Sequence, residues 1–163
     1  MSDSKNEQHE KIWSLIKDAR VAMLTTAHDG RLYSRPMVAS QKRFDGTLWF
    51  FTRKSSPKVD EISTHHQVNV AYSSSESMSF VSLAGQAILV NDSAAIDEHW
   101  NEWVKVWFPE GKEDPDLALL RVDVDTAEYW DAPSSKVAIA FDYIKARVTG
   151  SKPDLGEHGK MDV

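Results

Sequence analysis

The sequence predicts a mainly β protein, built as an antiparallel barrel or a strongly curved sheet with helices on its outside. Six short apolar segments have the composition of strands, and turn signals such as "HDGR" and "FDG" separate neighbouring segments. Two or three helical segments interrupt the strands. A Rossmann fold is disfavoured, because it would need helices between nearly all the strands and a GxGxxG motif after the first one.

Composition narrows the range of functions. The 163 residues are enough for one domain, which we expect over residues 1–150, with a flexible polar tail over residues 151–163. The net charge of −6 argues against an extended nucleic-acid surface, and the absence of cysteine excludes disulfides and thiolate catalysis. Since no stretch has the apolar character of a signal core or a membrane span, we expect a cytoplasmic protein.

The first elements are a helix and a hairpin. A helix is expected over about residues 7–19, where apolar side chains recur at helical spacing. These side chains share one face: Ile12, Leu15, Ile16 and Ala19. Residues 21–26 and 32–39 then predict two strands joined at "HDGR", which is a turn signal between two β-rich segments.

The next strand leads directly into a helix. The segment "TLWFFT" predicts a buried third strand. Ser56 has a residue type that caps helices, and Pro57 suits the first helical turn. We therefore expect a second helix from Pro57 to about His65.

The central part of the chain predicts two more strands and a third helix. "VNVAYS" is the fourth strand, and "MSFVSLAGQAILV" is the fifth, with a bend or bulge at Gly85. Asp92 or Ser93 would cap a helix that ends at Pro109. Its apolar stripe would comprise Ile96, Trp100, Trp103, Val104 and Trp107.

The last elements are less sharply defined. "DLALLRVDVDTAEYWD" predicts a sixth strand, because Leu120, Val122 and Val124 alternate along one face. The following "KVAIAFDYIKARVTG" is expected to be a seventh strand or a kinked strand, and its periodicity does not decide between them.

The junction "FFTRKSSPKV" collects hydroxyls and cations at a helix N-terminus. Unpaired backbone N–H groups and the positive end of the helix dipole meet there. Thr52, Ser56 and Lys58 would add two hydroxyls and an ammonium, a set that suits a phosphate monoester. The alternative is an ordinary capped helix with a solvated basic cluster.

Two further features have a functional and a structural interpretation. Arg35 lies next to Pro36 in an interrupted strand. Its guanidinium would donate hydrogen bonds to phosphate oxygens or to a ring carbonyl; the alternative is an exposed arginine at the barrel rim. Aromatic residues in "WFPEG", from Trp107 onward, would stack on a ring or seal a dimer contact, whereas the helical tryptophans are most simply core.

Metal and acid–base chemistry have little support in the sequence. Four histidines lack the spacing of zinc ligands, so we expect no metal site: His28, His65, His66 and His99. No nucleophile motif or Walker sequence occurs, and no side chain stands out as an acid or a base. We therefore name no catalytic residue.

Four segments, taken together, resemble the FMN-binding split-barrel superfamily and, within it, the pyridoxamine 5'-phosphate oxidase-like general stress proteins. The segments are "MLTTAHDGRLYSRPM", "LWFFTRKSSPKV", "VNVAYSSSESMSFVSLAGQA" and "VWFPEGKEDPDLALLRVDVDTAEYWD". The resemblance covers about residues 10–132. The order and spacing of the segments is more specific than any one of them.

The resemblance implies a six-stranded antiparallel Greek-key split β-barrel with flanking helices, a homodimer, and FMN in a cleft built by both subunits. It implies nine cofactor contacts: Arg35, Pro36, Met37, Phe51, Thr52, Ser56, Lys58, Phe80 and Trp107. Ser56 and Lys58 would hold the phosphate, and Phe80 stands where the related oxidases place a glutamine. Trp107 and Phe108 would reach the site from the partner subunit.

The resemblance also implies an activity. True pyridoxamine phosphate oxidases end in an arginine- and histidine-rich segment that grips the substrate phosphate, and "KARVTGSKPDLGEHGKMDV" does not match it. We therefore expect an FMN-dependent oxidoreductase of the general stress type, acting on a small molecule with NAD(P)H as reductant. The alternatives are a flavin-binding or sensing module without turnover, and a related flavin, a deazaflavin or haem in place of FMN. No nucleic-acid or membrane partner is expected.

Overall fold

Antiparallel strands form one curled sheet in the computed structural model, which describes residues 2–132, 136–152 and 156–163. Strands β1 to β7 span, in chain order, Val21–His28, Arg31–Val38, Thr47–Arg53, Gln67–Ser74, Ser79–Val90, Leu117–Asp131 and Glu157–Asp162. Helices α1 to α4 span Ser2–Ile16, Pro57–Thr64, Ser93–His99 and Lys136–Thr149. Two short 3₁₀ turns lie between α3 and β6, at Val104–Val106 and Gly111–Glu113.

The strand order gives the sheet its half-barrel form. The strands pair as β2-β1-β4-β5-β6-β3, so β3 lies at the opposite end of the sheet from β2, its neighbour in sequence. An isolated bridge between Ala39 and Phe50 joins these two ends and curls the sheet on itself. The predicted fold, a mainly antiparallel split barrel with flanking helices, is confirmed.

The core lies inside this curl, where alternate residues of each strand point inward. Phe50 is fully buried in β3, and Val122 is fully buried in β6. Helix α1 packs on the same core through Ile12 and Ile16, which lie one turn apart. A smaller cluster forms on the opposite face of β6 from Ile96, Val104, Phe108, Leu117 and Leu119.

The expected irregularity at Gly85 is confirmed. The pairing of β5 with β6 shifts register between Ala84 and Gly85. A Cβ atom on Gly85 would lie 2.1 Å from the carbonyl oxygen of Asp123. Because this neighbour is backbone, the two strands approach so closely here that only glycine fits.

The observed bounds of helices α1 and α2 differ by a few residues from the predicted ranges. Helix α2 begins at Pro57, as predicted, and ends at Thr64. Helix α1 begins at Ser2 and ends at Ile16, several residues earlier at both ends than the predicted range of 7–19. The acidic Asp3 in its first turn favours the earlier start through the helix dipole.

The long third helix predicted from the tryptophan spacing is wrong. Helix α3 starts after Asp92, whose carboxylate accepts a hydrogen bond from the Ala95 N–H, but it ends at His99. The Asn101 side-chain oxygen then accepts hydrogen bonds from the next backbone N–H groups, including that of Trp103 at 3.0 Å. An asparagine that binds the local backbone in this way competes with helix continuation.

Two C-terminal expectations are also corrected. Residues 136–149 form helix α4, not a strand. The periodicity of a short apolar segment does not by itself distinguish a buried strand from a helix. Residues 157–162, expected as part of a tail, form β7, which pairs with β6 residues 126–131. The Tyr129 hydroxyl donates a hydrogen bond of 2.7 Å to Glu157, and Lys11 forms ion pairs with both Glu157 and Asp131. These contacts attach the end of the chain to β6 and α1.

Within the described ranges, helices are either too short or too polar to cross a membrane.

Candidate functional site

A cavity of about 210 Å³ opens between β2, the end of β3 and the segment that follows α3. We call it the Thr52 cavity, after the buried hydroxyl in its wall. Its lining is mainly apolar, with two cationic side chains and no carboxylate. The lining residues are Pro36, Met37, Val38, Phe51, Thr52, Arg53, Lys58, Val104, Trp107 and Phe108.

The cavity brings together six of the nine residues that the family resemblance assigned to the cofactor. These six are Pro36, Met37, Phe51, Thr52, Lys58 and Trp107. Pro36 and Met37 come from β2, Phe51 and Thr52 from β3, and Lys58 from the first turn of α2. Arg35, Ser56 and Phe80 do not line it.

The connection between β3 and α2 is held by Asp116, the residue before β6. The Asp116 carboxylate accepts hydrogen bonds from the Ser55 N–H at 2.9 Å and from the Ser55 hydroxyl at 2.7 Å. The hydroxyl bond is the main reason that the pKa of Asp116 lies below its ordinary value. The Lys54 ammonium donates to the carbonyl oxygen of Pro115 at 3.1 Å. Lys54 and Ser55 therefore stabilise the connection and do not line the cavity.

Ser56 occupies the N-cap position of α2 but does not cap it through its side chain. Its backbone is extended, with φ of −71° and ψ of 138°, as an N-cap residue requires. Its hydroxyl instead accepts a hydrogen bond of 2.8 Å from the Lys58 ammonium. Ser56 thus positions the Lys58 ammonium through this bond. Its side chain neither caps the helix nor lines the cavity.

Lys58 is the half-buried cation of the cavity wall. Burial lowers its pKa, the positive charge of Arg35 acts in the same direction, and the negative charge of Glu61 opposes them. In the part of the chain that the structure describes, its ammonium bonds to Ser56 and forms no ion pair with a carboxylate. A partly desolvated cation without a counterion is stabilised by an anionic ligand.

Arg35 is bound to other protein groups. Its guanidinium donates hydrogen bonds of 2.8 Å to the Glu61 carboxylate and of 2.8 Å to the Thr26 hydroxyl. Thr26, which is fully buried, also donates to Glu61. Burial would raise the pKa of Glu61, but the bonds from Thr26 and Arg35 outweigh burial and lower it. Arg35 therefore connects β2 to α2 and so holds the helix that carries Lys58.

Phe80 lies away from the Thr52 cavity of its own chain. It is on β5, paired with Ser73 of β4 and Trp130 of β6. Its side chain is exposed on the outer face of the sheet, and two strands, β1 and β4, lie between β5 and β2. The indole of Trp130 stacks in turn on the imidazole of His158 in β7, with 5.2 Å between ring centroids.

Arg53 is a lining residue that sequence reasoning did not assign to the site. Its Nη2 donates a hydrogen bond of 2.7 Å to the carbonyl oxygen of Trp107, and its guanidinium lies 4.8 Å from the ring centroid of Phe108. Its Nη1 lies 3.7 Å from the Asp116 carboxylate. The available signal was its place directly after Thr52, in the basic cluster that follows β3.

The aromatic segment belongs to the same chain as the rest of the cavity. Trp107 is exposed at the rim, and Phe108 is buried in the small cluster beside β6. Both line the Thr52 cavity of their own chain. The expectation that they reach the site of a partner subunit stays a prediction.

Comparison with known proteins places these features in a family. A family model described as pyridoxamine 5'-phosphate oxidase like matches residues 7–154. General stress protein 26 of Bacillus subtilis is 26% identical over 127 residues, which cover 76% of this chain and 88% of that protein.

Two solved structures are similar in sequence and in fold. The general stress FMN/FAD binding protein of Xanthomonas citri is 37% identical, with a TM-score of 0.69, covering 80% of this chain and 92% of that one. A candidate general stress protein 26 from Jannaschia sp. CCS1 is 25% identical, with a TM-score of 0.79, covering 97% of this chain and 99% of that one. Because the family match spans nearly the whole described barrel, this chain belongs to the pyridoxamine 5'-phosphate oxidase-like family.

Proposed function

We propose that this protein binds FMN in the Thr52 cavity, with the cofactor phosphate against Lys58, and that it is an FMN-dependent oxidoreductase of the general stress type. The observation that carries the proposal is the half-buried Lys58 ammonium, which has no carboxylate partner among the described residues and lies in the wall of an apolar cavity. The similarity to the Xanthomonas citri protein, described as FMN/FAD binding, supports a flavin.

The charges around the cavity favour Lys58 as the phosphate ligand. Arg35 is paired with Glu61 at 2.8 Å, and Arg53 lies 3.7 Å from Asp116. Each arginine therefore has a counterion within the protein, whereas the ammonium of Lys58 has a hydroxyl. An incoming dianion gains most from the cation whose charge is least compensated.

The rest of the lining fits the remainder of FMN. Pro36, Met37 and Phe51 offer apolar surface, and Trp107 adds an aromatic ring at the rim, as an isoalloxazine ring system requires. The buried Thr52 hydroxyl would stand beside the phosphate end; among the described residues it makes one hydrogen bond, a long one of 3.5 Å to the carbonyl oxygen of Arg53. Thr52 therefore has hydrogen-bonding capacity left for a ligand.

The lining supplies binding groups and no evident proton carrier. When bound, FMN would supply hydride or electron transfer, with NAD(P)H as the proposed reductant and a small molecule as acceptor. None of the ten lining residues is a histidine, a tyrosine or a carboxylic acid. This observation favours a second candidate function, a flavin-binding or sensing module without turnover.

The two candidates are separated by one titration and one rate measurement. We expect the purified protein, freed of any ligand, to quench the fluorescence of added FMN with a saturable one-to-one stoichiometry. An oxidoreductase would then oxidise NAD(P)H faster than the same concentration of free FMN does, and a binding module would not. If FMN fluorescence is unaffected by the protein, the proposed function is wrong.

We also propose a homodimer with the flavin site at the subunit interface. An apolar strip crosses the outer face of the sheet, where it is exposed in the single chain. It comprises Val21, Met23, Val38, Phe80 and Trp130. The cavity volume of about 210 Å³ is below the roughly 300–1,000 Å³ of typical small-molecule sites, so a second copy would complete its wall.

Met23 offers a test of the dimer. It pairs with Pro36 of the cavity lining and is exposed on the outer face. We expect Met23→Glu to shift the protein from dimer to monomer in sedimentation, because two buried like charges would face each other across a symmetric interface. FMN affinity would fall with it. Met78→Glu, in the β4–β5 turn, is the control and should leave the dimer intact; a dimeric Met23→Glu variant would contradict the proposed face.

A further inference from the structure

We infer that Arg53 is a positioning residue that holds the Trp107–Phe108 segment as the aromatic wall of the flavin cleft, on the side of the ring system and not of the phosphate. The inference rests on the proposed function and deepens it, since it separates the residue that binds the phosphate from the residue that shapes the ring site.

The first argument is that Arg53 spans the cavity. It begins at the end of β3, and its guanidinium reaches the segment on the other side, donating 2.7 Å to the carbonyl oxygen of Trp107. The same group lies 4.8 Å from the ring centroid of Phe108, a cation–π distance. One side chain thus contacts two consecutive residues of the opposite wall and sets the separation between the walls.

The second argument concerns what else holds Trp107. The backbone N–H groups of Trp107 and Phe108 both donate to the carbonyl of Val104 at 3.0 Å, so these bonds stay within the segment. Val104 and Phe108 are buried in the small cluster, which anchors the segment from beneath. The Trp107 side chain is 62% exposed. The β3 side chain Phe51 packs against the same cluster, and the bond from Arg53 to the Trp107 carbonyl oxygen adds a directional link between this part of the rim and β3.

The third argument separates Arg53 from phosphate binding. Asp116, which lies 3.7 Å from Arg53, is itself fixed by two hydrogen bonds from Ser55. Arg53 thus has an immobile counterion and two contacts that use its planar shape. Lysine would not reproduce them, because a single ammonium lacks the fork of donors and the flat face that a guanidinium offers.

The test compares two ligands that differ only in the phosphate. Arg53→Met and Arg53→Lys are titrated with FMN and with riboflavin, following flavin fluorescence, alongside Lys58→Met. We expect both Arg53 variants to lose about tenfold in affinity for both flavins, since the ring wall is common to them. Lys58→Met should lose affinity for FMN alone. Arg43→Met, whose guanidinium is highly exposed and paired with Asp45, is the control and should match the parent protein.

A second readout reports the position of the ring itself. At saturating flavin, the visible circular dichroism of the bound chromophore should change in the Arg53 variants and stay as in the parent for Lys58→Met. If the Met variant does not fold, Arg53→Lys decides alone.

Either of two results would overturn the inference while leaving the proposed function in place. One is riboflavin binding at parental strength by the Arg53 variants. The other is a loss confined to FMN, which would make Arg53 a phosphate ligand. Failure of the parent protein to bind FMN would instead remove the proposed function.

Discussion

Replacement of Lys58 by methionine should weaken FMN binding by roughly 10- to 100-fold, about 1.5–3 kcal/mol, because a charge-assisted bond to phosphate is lost. Riboflavin binding should stay unchanged, since that ligand has no phosphate. Methionine keeps most of the aliphatic volume of the lysine, so the cavity wall is retained. Isothermal titration with both flavins measures the difference. Equal losses for FMN and riboflavin would show that Lys58 does not bind the phosphate.

A matched control lies four residues away. Lys54 belongs to the same basic cluster, but its ammonium donates to the carbonyl of Pro115 outside the cavity. Lys54→Met removes the same charge from nearly the same place. It should change FMN affinity much less than Lys58→Met, so the comparison separates a specific contact from the general field of the cluster.

The lowered pKa of Lys58 gives this prediction a pH dependence and a stability consequence. FMN affinity of the parent protein should fall as the pH rises through the lowered pKa of Lys58, which lies below the 10.5 of an ordinary lysine. Below that pKa, the protonated, half-buried lysine destabilises the unliganded fold, and this destabilisation is relieved as the pH rises. Lys58→Met should therefore raise the melting temperature of the unliganded protein at neutral pH while it weakens FMN binding.

The second large effect is expected for Gly85→Ala. The added methyl group would lie 2.1 Å from the Asp123 carbonyl oxygen and 2.9 Å from the Val124 Cα, so β5 and β6 would have to separate. Overpacking of this kind destabilises by about 3 kcal/mol, toward the upper end of the usual range, because backbone cannot move aside as a side chain can. Urea unfolding measures the change.

Gly111→Ala is the comparison for Gly85→Ala. Gly111 has a φ of 72°, and a Cβ there would meet nothing within 4 Å. Its replacement should cost only the strain of a left-handed backbone, about 1 kcal/mol. Similar stability losses for the two variants would contradict the close approach of the strands at the bulge.

Local signals in the sequence predicted much of the fold and of the site. A buried apolar run identified β3, alternating apolar residues identified β6, and Gly85 marked the bulge because a glycine inside a strand pattern suggests one. Thr52 and Lys58 were found from their place between a buried strand and a helix that begins with proline. Each of these features depends on residues only a few positions apart, so its pattern can be recognised in a single sequence.

The remaining features depend on contacts distant in sequence. The tryptophans after α3 have helical spacing, but α3 ends at His99, where the Ser40 hydroxyl donates to the His99 carbonyl oxygen and accepts a hydrogen bond from the Asn101 side chain. Arg53 became part of the site only through Trp107, more than fifty residues later. Strand β7 has little apolar alternation, and it forms because β6 offers it a line of partners.

The pairing of β7 with β6 has a consequence for association between molecules. Residues 126–131 of β6 extend past the end of β3, and without β7 their amide and carbonyl groups would be open to any passing extended chain. Strand β7 pairs with these groups and so protects this edge of β6 against the addition of a strand from another molecule, although β7 does not line the Thr52 cavity.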